Sequence, residues 1–125
     1  MSDMRTPISR VRGLGSAKEG TQHWWLQRLT AIALVPLVIW FVVSMICLAN
    51  ANYDTVTAWL ATPLTAVLML LFVIATFYHL QLGLQVVIED YIHGEAAKMT
   101  CLIVLKLGSF ALGLAAAFAI LKVAF

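Results

Sequence analysis

His79 is the residue with the most chemistry to explain. It sits in the uncharged stretch Leu64–Ile88, where an ionisable side chain is costly and marks a functional site by default. Its imidazole offers a nitrogen lone pair, a standard axial bond for haem iron, or a proton relay. The plain alternative is a neutral histidine hydrogen-bonded to a neighbouring helix. On a helix, Gly83 at i+4 and Phe72 at i−7 fall on the face of His79. A glycine one turn from an imidazole leaves a notch against which a flat macrocycle can lie. One histidine makes one axial bond, and His23 and His93 lie outside the apolar stretches. A six-coordinate haem therefore needs its second ligand from another chain.

The same stretch ends in Glu89-Asp90-Tyr91. Eleven residues at about 100° each return Asp90 to within about 20° of the azimuth of His79, some 16 Å further along the axis. A carboxylate beside a phenol at a lipid–water boundary can hydrogen-bond a quinone carbonyl and deliver protons to it. An ordinary helix end with an aromatic anchor has the same composition. Gln81 and Gln85 lie on the face opposite His79 and predict that this face also packs on protein. Upstream, Arg28 closes the cluster His23-Trp24-Trp25-Leu26-Gln27-Arg28. It reads either as an interfacial anchor or as a planar fork matched to an anionic group such as a haem propionate.

The elements that must position these groups follow from composition. Of 125 residues, 62% are hydrophobic and 11% charged, with a mean hydropathy of +0.95. A soluble domain runs about 45–50% apolar and roughly 25% charged. This chain cannot cover itself with polar surface, which excludes a soluble enzyme, a nucleic-acid binder and a disordered linker. Three stretches reach the roughly 20 residues needed to cross a bilayer: Leu29–Ala49, Leu64–Ile88 and Met99–Phe125. The expectation is an all-α membrane protein with three transmembrane helices, preceded by a basic segment over residues 1–28. Residues 29–125 form the transmembrane domain, and so small a bundle calls for further subunits.

Ala49-Asn50-Ala51 resembles a signal-peptidase site, but a 21-residue apolar run is longer than a secretory core of about 7–15, so the first stretch reads as a span. Pro36 inside it predicts a bend, and Pro63 opens the second at a position where its missing N–H costs nothing. Asn50–Thr62 reads as a loop carrying interfacial Tyr53 and Trp59. Arg5, Arg10, Arg12, Lys18 and Arg28 precede the first span, Asn50–Thr62 has no basic residue, and the second connection holds Lys98. The positive-inside rule then places the N-terminus in the cytoplasm. Cys47 and Cys101 fall a bilayer apart, too far for a disulfide, and read as small buried apolar residues. Met1–Gly20 shows no amphipathic period and is expected to lie extended. No phosphate-binding glycine loop, nucleophile triad, zinc spacing or iron–sulfur cysteine run is present.

The run His79-Leu80-Gln81-Leu82-Gly83 continuing to Glu89-Asp90-Tyr91 resembles the hydrophobic membrane anchor of succinate dehydrogenase, the D-type anchor of respiratory complex II. Gly13-Leu14-Gly15, His23, and Arg28 followed by Thr30-Ala31-Ile32 extend the likeness to the first span. The third span carries no motif of its own.

The resemblance implies a non-catalytic subunit of succinate:ubiquinone oxidoreductase in a bacterial inner membrane. It would pack with a second, cytochrome b anchor as a heterodimeric helix bundle. Haem b would be shared between the two anchors, with His79 as one axial ligand and Arg28 as a candidate propionate contact. Tyr91 and Asp90 would belong to the ubiquinone site. FAD and iron–sulfur clusters would reside only in the flavoprotein and iron–sulfur partner subunits. The competing expectation is a haem-free structural anchor like that of some fumarate reductases; a small transporter is disfavoured, because no inverted repeat or paired broken helices occur.

Overall fold

The computed structural model describes residues 4–13 and 19–125 (backbone alone at 19), and the described residues are helical with short connections. The elements are α1 (Pro7–Val11), α2 (Glu19–Cys47), α3 (Tyr53–Ala61), α4 (Pro63–Tyr91) and α5 (Glu95–Ala124). Among the described residues, α2, α4 and α5 are the three helices long and apolar enough to cross a membrane, as the hydropathy predicts. Each extends past its apolar stretch: α2 begins ten residues before Leu29, and α4 runs three beyond Ile88. Hydropathy marks where lipid ends. Backbone hydrogen bonding continues through the interface, where side chains are polar but the N–H and C=O groups still need partners.

Two expectations about the connections are corrected. The segment before the first span is not wholly extended, because residues 7–11 form α1 and residues 19–28 belong to α2. Thr6 Oγ1 accepts the Ser9 N–H at 3.2 Å, Pro7 supplies a preset φ, and Gly13 at φ +65° ends the turn in the left-handed region. Lys18, Leu14 and Gly15 lie outside the described residues. Asn50–Thr62 is also more than a loop. Asn52 Oδ1 accepts from the Thr55 N–H at 2.9 Å and from the Thr55 hydroxyl at 2.7 Å, starting α3. Thr62, pushed out of the helical region by the following proline, is extended at φ −63°, ψ 127° and separates α3 from α4.

α4 is the middle helix. It packs against α2 on one side and α5 on the other, α3 rests on α4 and α5, and among the described residues α2 and α5 do not pack on each other. The less exposed positions on α2 recur as His23, Leu26, Gln27, Thr30, Ala31, Leu34 and Leu37, one stripe turned toward α4. Phe41 and Phe72 stack across that contact at 4.7 Å, and Trp40 stacks on Trp59 of α3 at 5.9 Å; such pairs contribute about 0.5–1.5 kcal/mol each. Pro36 sits within α2, which stays helical through it. On the other side, a Cβ at Gly113 of α5 would lie 3.5 Å from Phe77 Cβ. Lipid removes the hydrophobic drive between helices, so small residues that allow close backbone approach carry the packing.

Little is buried. Among the described residues only Thr65, Ala66, Leu82, Ser109 and Ile120 fall in the buried class, so the rest of the apolar surface needs lipid or other protein. Ser44 and Thr100 donate their hydroxyls to Trp40 O and Ala96 O at 2.8 Å, which lets them sit on membrane helices without an orphaned donor. The α4–α5 contact yields a graded test. Gly113→Ala should leave thermal stability in detergent near wild type, because 3.5 Å is ordinary van der Waals contact. Gly113→Leu should lower it by about 1–3 kcal/mol through overpacking against Phe77. Equal melting temperatures for the two variants would show that this contact is looser than described.

Candidate functional site at the α2–α4 contact

His79 lies twelve residues before Tyr91, the last residue of α4, or about 18 Å along the axis. It is half-buried against α2. Its Nδ1 is 2.9 Å from Oγ1 of Thr30. Thr30 in turn lies within hydrogen-bond distance of two carbonyls on its own helix, Leu26 O at 2.8 Å and Gln27 O at 3.0 Å. The other ring nitrogen, Nε2, has no hydrogen-bond partner among the described residues and is not one of the buried atoms.

The expected face around His79 is partly realised. A Cβ at Gly83 would meet nothing within 4 Å, so space stays open one turn from the imidazole. Phe72 is instead engaged with Phe41 and serves the helix contact. Among the described residues, two polar atoms in this region are buried without a partner, Thr76 Oγ1 and His23 Nε2. Thr76 is three residues from His79 on α4, and His23 is seven before Thr30 on α2, placing it on the same helix face as Thr30. An open notch, an imidazole nitrogen without a partner and nearby orphaned polar atoms fit a flat group bearing an iron. Among the described residues no cluster of three or more His, Cys, Asp or Glu is able to hold a bare metal ion. Iron here would have to bring most of its own ligands.

Asp90 and Tyr91 close α4 and are exposed, Tyr91 at 77%. The unbroken helix keeps Asp90 within about 20° of His79, as its spacing predicts. Glu89 accepts a hydrogen bond from Gln85 Nε2 at 3.0 Å. The last turn of α4 holds no basic residue. Its carboxylates therefore oppose the helix dipole, at a cost of about 0.3–1 kcal/mol each at an exposed site. Arg28 is exposed, with its guanidinium 5.5 Å from the Trp24 ring centroid, and Trp24 meets Trp25 edge to face at 5.1 Å. Two residues from Thr30, Arg28 is turned about 160° away around α2. The fold does not bring it to His79.

Gln81 lines an apolar groove of about 340 Å³ between α4 and α5, with Phe77, Tyr78, Ser109 and Gly113. The helix face opposite His79 thus packs in part on protein, as the two glutamines predict, and that protein is this chain's own α5. Cys47 and Cys101 are free thiols on different helices; Cys101 is half-buried, but Cys47 is exposed near the end of α2 rather than buried as expected. His93 is exposed in the connection between α4 and α5. Thr30 is the site residue that the spacing of chemical groups does not single out. Its only sequence signal is membership of the Arg28-Leu29-Thr30-Ala31-Ile32 run.

Residues 2–116 match a family model described as succinate dehydrogenase/fumarate reductase transmembrane subunit. The chain belongs to that family. Similar proteins include the succinate dehydrogenase hydrophobic membrane anchor subunits of Rickettsia bellii, 39% identical over 86% of each chain, and Rickettsia conorii, 35% over 84% of each. The like-named subunit of Paracoccus denitrificans is 34% identical over 74% of this chain and 72% of its own. No solved structure matches. Family membership and three apolar helices together make this a multi-pass membrane protein, and the family resemblance read from the His79–Tyr91 run holds.

Proposed function

We propose that this chain is the membrane anchor subunit of a succinate:ubiquinone oxidoreductase, respiratory complex II, in which it shares haem b with a second anchor and helps form the ubiquinone reduction site. The observation that carries the reading is His79: an imidazole about 18 Å from the Tyr91 end of a membrane helix, with Nε2 unpartnered among the described residues and open space at Gly83. The relatives' names support the anchor role.

In this reading His79 would hold the haem iron through Nε2, and the partner cytochrome b anchor would supply the second ligand. Bound haem contributes one-electron chemistry and a large, rigid surface between the two anchors. Tyr91 donates its phenolic hydrogen to a ubiquinone carbonyl, and Asp90 relays protons from the aqueous side to the same oxygen. Their exposure and the uncompensated negative end of α4 suit residues that meet a substrate and a neighbouring subunit. Arg28, which lies over Trp24 and is turned away from His79, would meet a haem propionate only where that group reaches around α2, and otherwise serves as an interfacial anchor. Flavin and iron–sulfur chemistry belong to the soluble partner subunits. The N-terminus and the Tyr91 end of α4 face the cytoplasm of a bacterium, following the basic residues before α2.

Purification through a tag on this chain should recover a flavoprotein, an iron–sulfur protein and a second anchor. That complex should show a reduced-minus-oxidised b-type band, lost in His79→Ala; an unchanged band would instead support the haem-free anchor. Gly83→Leu should fill the notch and lower haem content, while Gly83→Ala should retain most of it. Tyr91→Phe should reduce ubiquinone-dependent turnover by about 100-fold while succinate oxidation with an artificial acceptor persists. Equal loss of both activities would point to misassembly.

A further inference from the structure

Thr30 makes three polar contacts, and its hydroxyl has one hydrogen to share among them. Two of the contacts are backbone carbonyls, Leu26 O at 2.8 Å and Gln27 O at 3.0 Å, and the third is His79 Nδ1 at 2.9 Å. A carbonyl can only accept. If the hydroxyl hydrogen pointed at Nδ1, the Thr30 oxygen would face two carbonyl oxygens at these distances with no proton between them. Placing that hydrogen between the carbonyls removes the repulsion and follows the usual back-bonding of threonine in membrane helices. The Thr30 oxygen is then an acceptor, and the only group left to donate to it is an N–H at Nδ1 of His79.

We infer that Thr30 is a positioning residue that fixes His79 as the Nδ1–H tautomer, leaving the lone pair on Nε2 for axial ligation of haem iron. The inference rests on the haem reading above and adds the group that prepares the ligand. The neutral ring suits a span where a charge is costly, and Nε2 is the nitrogen without a partner among the described residues. Interhelical side-chain hydrogen bonds in membranes are weak on average, so this bond does little to hold α2 on α4. Its consequence is orientation. A hydrogen bond from the non-ligating nitrogen sets the ring's tautomer and rotation and raises the basicity of the ligating one. Thr30 also links the two helices at the level of the ligand, so α2 acts on iron chemistry without touching the iron.

The test uses the intact complex with Thr30→Val, Thr30→Ser and, separately, His79→Ala. Valine keeps the shape of threonine and removes the acceptor; serine keeps the acceptor and removes a methyl group. Thr30→Val should raise the haem midpoint potential and shift the low-spin ferric g-values, or weaken haem retention by about 10–100-fold. Thr30→Ser should stay close to wild type in potential, g-values and haem content. Wild-type potential, g-values and haem content in Thr30→Val would overturn the inference, as would equal changes in the valine and serine variants, which report packing alone. His79→Ala separates the two ideas. If it abolishes the b-type band while Thr30→Val changes nothing, only the role of Thr30 fails; if the band survives in His79→Ala, the ligand reading itself fails.

Discussion

Hydrocarbon offers no hydrogen bonds, and most features of this chain follow from that. Backbone groups must pair within their own segment, so the apolar stretches become helices and continue as helices until water can take over. The same demand falls on side chains. Ser44, Thr30 and Thr100 return their hydroxyls to carbonyls three or four residues back. His79 makes no such local bond among the described residues. It needs a partner on another helix or a ligand, and it has Thr30 for one nitrogen and open space near the other.

This requirement gives α4 its place. It presents one face to α2, with Phe72 on Phe41 and His79 on Thr30, and another to α5, with Phe77 against Gly113. The two faces differ in kind. The α5 side is a close contact between an aromatic ring and a small residue, suited to rigid support. The α2 side combines an aromatic stack with a polar contact, a notch at Gly83 and, at Thr76 and His23, buried polar atoms without partners among the described residues. A helix held firmly on one side and incompletely satisfied on the other is suited to receiving a cofactor between subunits. The proposed quinone residues continue that stripe to the helix end, where Asp90 and Tyr91 stand in the open.

Much of this was legible from residue types. The three spans, the isolation of His79 and the shared azimuth of His79 and Asp90 follow from hydropathy and helical period, both of which are local properties. The helix ends were less legible: hydropathy reports the solvent, whereas a helix ends where capping and proline geometry decide, as at Asn52, Thr62 and Gly13. α3 was missed for this reason. A nine-residue amphipathic helix with interfacial aromatics has the composition of a loop. The buried reading of Cys47 failed because one face of α2 lacks any neighbour in the described chain.

The sequence by itself determined the solvent, the number of spans, the family and which side chains carry chemistry, since each depends on composition or on spacing along one helix. Only the tertiary structure decided which residue faces His79, because the register between two helices far apart in the chain comes from packing across them. Thr30 and His79 are 49 residues apart, and no period within either helix relates them. The same packing decided that Gln81 faces α5 and that Arg28 turns away from the histidine. A polar residue's place along its helix is written in the chain, but its partner is settled by the neighbouring surface that comes to lie against it.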